Sequence, residues 1–134
     1  LRGRQHSFIV FSAVGPVRGR GQELARAEGH EQPVWDLSPD GSSIAMVVDS
    51  QDSIPRIRLL STRGAPPREV RLDRPVRIGH IAFGSDGRSW LIVQGGDQWR
   101  LLRVDARGRT APLIPPQMWM YSAAASPDGK RIAY

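Results

Sequence analysis

A four-residue turn sequence recurs three times in this chain and constrains its fold more than any other feature. Ser38-Pro39-Asp40-Gly41 is followed by Gly84-Ser85-Asp86-Gly87 and by Ser126-Pro127-Asp128-Gly129, so the three aspartates lie 46 and then 42 residues apart. Proline presets φ at the second position of a type I turn, aspartate suits the third, and glycine adopts the left-handed conformation that follows. In the middle copy Ser85 replaces proline, which a type I turn accepts. Each copy therefore predicts a tight β-hairpin.

Short apolar segments flank each of these turns. They are residues 34–37, 80–83 and 121–125 before the turns, and residues 44–48, 90–93 and 132–134 after them. Strand, turn and strand is the arrangement that this pattern indicates. A helix is favoured only by the composition of residues 22–28, and one short segment does not outweigh the repeat. The sequence therefore predicts an all-β fold.

Further glycines lie between the turns and complete the repeat. A glycine marks a hairpin every 20 to 23 residues, at Gly21, Gly41, Gly64, Gly87, Gly108 and Gly129. Two hairpins per repeat give four antiparallel strands. The third strands are predicted at 56–60 and 99–104 and the fourth at 68–72 and 109–114. Prolines bound these strands, where they are tolerated, at Pro66, Pro67, Pro112, Pro115 and Pro116.

The same repeat divides the chain into units. Residues 7–13 and 22–27 are predicted as the third and fourth strands of a first unit. Residues 1–29 then form the second half of one unit, 30–74 and 75–117 form full units, and 118–134 form the first half of another. All four belong to one domain.

The sequences of residues 37–45 and 125–134, around the first and third turns, resemble the repeats of TolB-like, WD-repeat-like β-propellers. The resemblance covers nearly the whole chain and is strongest at 34–72 and 80–134. Propeller blades recur about every 40–45 residues and close in rings of about 4–8. The resemblance implies a partial propeller with two full blades and two half blades. Either the remaining blades belong to a longer polypeptide, or the half blades of two copies complete each other in a six-bladed ring.

The resemblance also implies a class of function. Such propellers occur in the periplasmic TolB protein and as sensor or scaffold modules attached to bacterial kinases and winged-helix regulators. We expect a non-catalytic module that binds a protein partner or a small ligand on a propeller face. The alternative is the substrate-gating propeller of a prolyl-oligopeptidase-like serine hydrolase, with the catalytic domain outside this chain. A periplasmic or extracytoplasmic location is favoured by the resemblance, and a cytoplasmic one is compatible with the sequence.

Composition excludes several kinds of site. The net charge of +6 comes from arginine, since Lys130 is the only lysine, but the arginines are spread along the chain and do not predict a nucleic-acid site. The chain has no cysteine, which excludes disulfides, zinc thiolates and a catalytic thiol. Its longest apolar runs, such as residues 44–48, are far shorter than the roughly 20 residues that span a bilayer.

The polar residues that could suggest chemistry are assigned structural roles. No catalytic, cofactor-binding or metal-binding residue is predicted. The acidic pair in residues 49–52 is interpreted as a solvated loop, because it lacks the glycine and terminal glutamate of a calcium loop. Residues 15–21 are interpreted as a long hairpin loop, and the three histidines as loop or strand-end residues. The turn residues given a structural role are Ser38, Pro39, Asp40, Gly41, Asp86, Gly87, Ser126, Pro127, Asp128 and Gly129.

Four tryptophans remain as candidates for packing or binding, among them Trp35 before the first turn. Trp90 and Trp99 fall within predicted strands and are expected to pack between neighbouring sheets. Trp119 lies in a proline-rich stretch with Met118 and Met120. It is the residue that we predict as a contact on an exposed face.

Overall fold

The computed structural model describes residues 4–10, 22–29, 34–48 and 54–134, with only backbone and strand pairing for the first two ranges. These residues form twelve strands and no helix, so the prediction of an all-β fold is confirmed. Accordingly, no helix in the described ranges is long and apolar enough to cross a membrane. The strands are β1 Arg4–Val10, β2 Gln22–Gly29, β3 Trp35–Leu37, β4 Ser43–Val48, β5 Arg56–Ser61, β6 Arg68–Arg71, β7 Ile78–Phe83, β8 Trp90–Gln94, β9 Arg100–Val104, β10 Thr110–Pro112, β11 Ala124–Ala125 and β12 Ile132–Ala133.

The strands pair in sequence order and antiparallel throughout. Two sheets have four strands, in the orders β3-β4-β5-β6 and β7-β8-β9-β10, and β1-β2 and β11-β12 form two-stranded sheets. The strands predicted at 56–60, 68–72, 99–104 and 109–114 are present with ends that differ by one or two residues. The strand predicted at residues 7–13 begins earlier, at Arg4, and residues 11–13 lie outside the described ranges. Residues 22–28 belong to β2, because their backbone pairs with β1, with one register shift between Phe8 and Ile9.

The predicted glycine turns have the backbone conformation that the repeat implies. Gly41, Gly87 and Gly129 have φ of 69°, 62° and 70°, in the turns that join β3 to β4, β7 to β8 and β11 to β12. Gly64 and Gly108, in the turns before β6 and β10, have φ of 85° and 82°. Gly21 lies outside the described residues. This left-handed conformation suits glycine because it has no Cβ.

A first apolar core lies between the two four-stranded sheets. Trp90 is 2% exposed there, and its ring lies 6.0 Å from that of Phe83 at an angle of 55°. The expectation that Trp90 packs between sheets is therefore confirmed. Both sheets contribute buried side chains, which are Ala45, Ile57, Leu72, Ile81, Phe83, Trp90, Ile92, Leu102 and Val104.

A second core lies on the other side of the second four-stranded sheet, and Trp99, predicted within a strand, packs against it from just before β9. The buried side chains of this core are Ala82, Leu91, Val93, Leu101, Met120 and Ala123. The side chain of Trp99 packs against this cluster. Its backbone lies outside β9, because the pairing of β9 with β8 begins at Arg100, opposite Gln94. The backbone of Trp99 pairs instead with Gln117 in an isolated bridge.

Side chains of one sheet bond to the backbone of the next. The Phe83 amide donates to Asp36 Oδ2 at 2.7 Å, and β3 lies beside β7. At a second place, the carboxylate of Asp73, just after β6, accepts from the amide of Thr110 at 3.0 Å and from the Thr110 hydroxyl at 2.8 Å. These bonds join the first four-stranded sheet to the second at two separate places.

Candidate binding surface

Trp119 lies on the connection between β10 and β11, which is held along the start of β9. The Leu113 amide donates to the Leu101 carbonyl at 3.0 Å. Trp99 and Gln117 exchange two backbone hydrogen bonds, both at 2.9 Å, and the Gln117 side chain donates to the Pro115 carbonyl at 2.8 Å. The backbone beside Trp119 is thus fixed by hydrogen bonds on both sides of the two prolines.

Large apolar side chains are exposed on this connection. The exposed fractions are 81% for Met118, 70% for Trp119 and 77% for Tyr121, whereas Met120 is 3% exposed and belongs to the second core. The buried methionine anchors the segment, and its neighbours on either side face solvent. We call Trp99, Met118, Trp119 and Tyr121 the aromatic surface.

Two glycines support the indole of Trp99 beneath this surface. A Cβ added to Gly79 would lie 3.4 Å from the Trp99 ring, and one added to Gly95 would lie 3.5 Å from it. On its other side, the ring of Trp99 lies 6.2 Å from that of Tyr121 at an angle of 44°. Offset or tilted pairs at such distances are favourable for aromatic rings. The exposed Tyr121 is therefore seated on a packed ring.

A cleft of about 570 Å³ lies along β3, β7 and β11, and Ser122, the residue after Tyr121, is part of its lining. Two of its polar residues connect neighbouring elements. His80 Nε2 lies 3.2 Å from the Ala123 carbonyl, which can only accept, so Nε2 carries the proton. Asp36 bonds to Phe83 through Oδ2. The cleft is lined by Trp35, Asp36, His80, Ile81, Ala82, Ser122, Ala123, Ala124, Ala133 and Tyr134.

The turn aspartates each bond within their own turn. Asp40 Oδ1 accepts from the Ser38 and Ser42 hydroxyls at 2.7 and 2.8 Å and from the Ser42 amide at 3.0 Å. Asp128 Oδ1 accepts from the Ser126 hydroxyl at 2.6 Å and from the Lys130 amide at 3.1 Å. These carboxylates act as acceptors for exposed turn groups.

Hydrogen bonds lower the pKa of these carboxyl groups. The Ser38 hydroxyl is the main cause that lowers the pKa of Asp40 to about 2. Burial raises the pKa of Asp86, but the amides of Arg88 and Ser89 outweigh that effect and lower it. Within the described side chains, no three His, Asp or Glu residues lie close enough together to hold a metal ion.

Several residues considered in the sequence cannot be located. Residues 15–21, His30 and the acidic loop at 49–52 lie outside the described ranges, and for His6 only the backbone is described. Two residues at the cleft were not identified from the sequence. Asp36 could have been suspected of a specific role, since it is a carboxylate within the apolar segment 34–37. Nothing in the sequence sets Tyr134 apart as a cleft residue. No protein-family model matches the sequence.

Proposed function

We propose that the chain is part of a TolB-like β-propeller and serves as a non-catalytic module that binds an extended protein segment. Residues 30–74 and 75–117 are the proposed full blades, and residues 1–29 and 118–134 the half blades. Two four-stranded meanders with the same strand order and the same Asp-Gly turns support this division. The adjacency of their first strands, β3 and β7, and of β7 and β11, is what neighbouring blades require.

The exposure of Met118, Trp119 and Tyr121 carries the functional part of the proposal. Contiguous exposed apolar side chains mark interaction sites more often than single ones do. Aromatic side chains supply a large contact area with few rotatable bonds. The backbone bonds of Gln117 hold the connection, and Trp99 holds the ring of Tyr121, before a partner arrives, which reduces the entropy lost on binding.

The partner that fits best is an extended apolar or proline-rich segment. Tyr121 and Trp119 flank the buried Met120, so they form a row of exposed rings along one connection. Aromatic rows of this kind bind extended segments, polyproline II helices among them, because such segments lose little backbone entropy on binding. The cleft beside Tyr121 offers room for the continuation of the same segment.

The experiment is a selection followed by calorimetry. A random peptide library displayed on phage is selected against the wild-type chain. The selected peptides are then titrated into wild type, Trp119→Ala and Leu113→Ala. We expect Trp119→Ala to lose about 2 kcal/mol of binding free energy, roughly 30-fold in Kd, as a central aromatic contact does.

Leu113→Ala is the matched control, since Leu113 is an exposed apolar residue on the same connection and lies outside the aromatic surface. It should bind the peptides as wild type does. Circular dichroism shows whether each variant folds. Peptides that bind folded Trp119→Ala and wild type equally would contradict the proposed site.

A further inference from the structure

A second groove lies at the opposite end of the sheets from the aromatic surface. It has a volume of about 430 Å³ and runs between the first and second four-stranded sheets. Gly87, Arg88 and Ala106 line it from the turns after β7 and β9, whereas the aromatic surface lies at the β8–β9 loop. In an antiparallel meander these two sets of connections lie at opposite ends. The remaining lining residues are Leu59, Arg68, Glu69, Val70 and Trp90.

Two arginines give this groove an uncompensated positive charge. Within the described part of the chain, the guanidinium groups of Arg68 and Arg88 have no hydrogen-bond or ion-pair partner. Glu69 does not neutralise them, because its carboxylate is bound by Arg58 through Nε at 2.8 Å and Nη2 at 2.7 Å. Side chains alternate along a strand, so Glu69 leaves β6 on the face opposite to Arg68 and Val70.

Apolar side chains and an unpartnered N–H form the rest of the groove. Leu59 and Val70 pack against the first core, which contains Trp90. The indole Nε1 of Trp90 is buried and is the one buried side-chain polar atom, among the described residues, without a hydrogen-bond partner. Such groups are uncommon in folded proteins and call for a specific explanation. Here the residue that carries the N–H borders a cationic groove.

We propose that this groove binds a carboxylate side chain of an acidic protein segment between Arg68 and Arg88, over the ring of Trp90. The planar guanidinium fork matches a carboxylate, and two such forks line one groove. The net charge of +6 favours the approach of an acidic partner. Two isolated arginines with an apolar wall fit a side chain better than a nucleic-acid backbone, which needs an extended basic stripe.

The indole N–H signals report on this groove directly. The chain has four tryptophans, hence four indole signals in a ¹H–¹⁵N spectrum, which are assigned by substituting each tryptophan in turn with Phe. The probe is a blocked hexapeptide of glutamate, with the glutamine hexapeptide as its uncharged control. We expect the glutamate peptide to shift the Trp90 signal and the glutamine peptide to leave it in place.

The matched variants test the arginines. Arg68→Gln/Arg88→Gln should weaken the affinity for the glutamate peptide at least about tenfold, as loss of charged contacts does. The control Arg77→Gln/Arg100→Gln removes two other exposed arginines, so the net charge is the same and the groove is intact. It should bind within about twofold of wild type, because only general attraction changes.

Three results would overturn the proposal. They are an unshifted Trp90 signal at millimolar glutamate peptide, an equal loss of affinity in both double variants, and an equal response to the glutamine peptide. Inorganic phosphate and a single-stranded oligonucleotide are titrated alongside. If either binds more tightly than the glutamate peptide with the same dependence on Arg68 and Arg88, the groove belongs to a phosphate ligand instead.

Discussion

At the scale of single residues, the middle turn uses a hydroxyl from a different position than the first turn does. In the first turn the hydroxyls of Ser38, the first turn residue, and Ser42, just after the turn, both donate to Asp40. In the middle turn Gly84 occupies the position of Ser38, and Ser89, after the turn, donates to both oxygens of Asp86 at 2.9 and 3.0 Å. A Cβ added to Gly84 would collide with Ser89 Oγ. A side chain at position 84 is therefore excluded while the Ser89 hydroxyl keeps this orientation, although the first turn has serine at both equivalent positions, Ser38 and Ser43.

This exclusion predicts non-additive substitutions. Gly84→Ser should destabilise the fold by about 1–2 kcal/mol through crowding, and Ser89→Ala by about 1 kcal/mol through the lost hydrogen bond. The double variant Gly84→Ser/Ser89→Ala removes the hydroxyl that would collide and places another where it can donate to Asp86, as Ser38 donates to Asp40, so we expect it within about 0.5 kcal/mol of wild type. Urea unfolding measures all four proteins. A double variant as unstable as the sum of the two single ones would contradict the exchange.

The turn carboxylates make stability depend on pH in acid. The pKa of Asp40 is lowered from 3.8 to about 2, chiefly by the Ser38 hydroxyl, and the pKa of Asp128 is lowered by the Ser126 hydroxyl. A group with a lowered pKa stabilises the fold fully above its unfolded pKa and loses that contribution as pH falls through the folded one. The free energy of unfolding should therefore fall between about pH 4 and pH 2.

Urea titrations across this range check the dependence. Asp40→Asn should reduce it, because the amide keeps an acceptor oxygen and does not titrate there. Asp97→Asn is the control, since Asp97 is an exposed loop residue for which the described structure has no hydrogen bond. Equal slopes for Asp40→Asn and wild type would show that the turn carboxylate does not contribute.

At the scale of elements, two turns with the same backbone conformation differ in what surrounds them. Gly64 and Gly108 have φ of 85° and 82°. A Cβ on Gly64 would meet nothing within 4 Å, whereas one on Gly108 would collide with the Arg71 carbonyl at the end of β6. The Asp73 amide also donates to the Gly108 carbonyl at 3.0 Å. The β9–β10 turn is thus docked on the neighbouring sheet, whereas Gly64 has no such contact with any residue that the structure describes.

Alanine substitutions at Gly64 and Gly108 distinguish the cost of backbone strain from the cost of displacing a turn from the neighbouring sheet. Gly64→Ala should destabilise the fold by about 1–2 kcal/mol, the cost of a left-handed non-glycine residue. Gly108→Ala adds displacement of the docked turn, and we expect at least about 1 kcal/mol more. Chemical denaturation of both variants gives the comparison. Equal losses of unfolding free energy in the two variants would mean that the β9–β10 turn moves away from β6 at no energetic cost.

The strands could be predicted from the sequence because turns and glycines mark their ends. Gly41 and Gly64 enclose β4 and β5, and both have the predicted left-handed conformation. The start of β1 at Arg4 could not be predicted, since Arg4 pairs with Gly29 through its backbone and polar composition gives no signal for that. The exposure of Trp119 was expected. The packing of Tyr121 on Trp99 was not, because that contact depends on an irregular connection.

At the scale of the whole molecule, the two four-stranded sheets are joined by hydrogen bonds at two separate places. Asp36 accepts from the Phe83 amide, and Asp73 accepts from the Thr110 amide. The repeat predicts which strands are neighbours along the chain, but not which side chains reach across. These contacts therefore came only from the structure.

Amide hydrogen exchange tests whether the two links are separate. Asp36→Ala should accelerate exchange of the Phe83 amide by about tenfold or more and leave the Thr110 amide unchanged, because only the first loses its acceptor. Asp73→Ala should do the reverse, so each variant is the control for the other. Acceleration of both amides in either variant would indicate that the sheets separate as one unit.

Apart from the bond between the Thr110 hydroxyl and Asp73, the links between sheets end on main-chain atoms, so they depend little on which side chains the receiving sheet carries. The Ala123 carbonyl, which faces His80, would be present whatever residue stood there, and the Phe83 amide with any residue except proline. Only the residue whose side chain makes the bond, Asp36 or His80, must be kept. Neighbouring units can therefore drift apart in sequence, or be recombined by an engineer, without losing the bonds that hold them side by side.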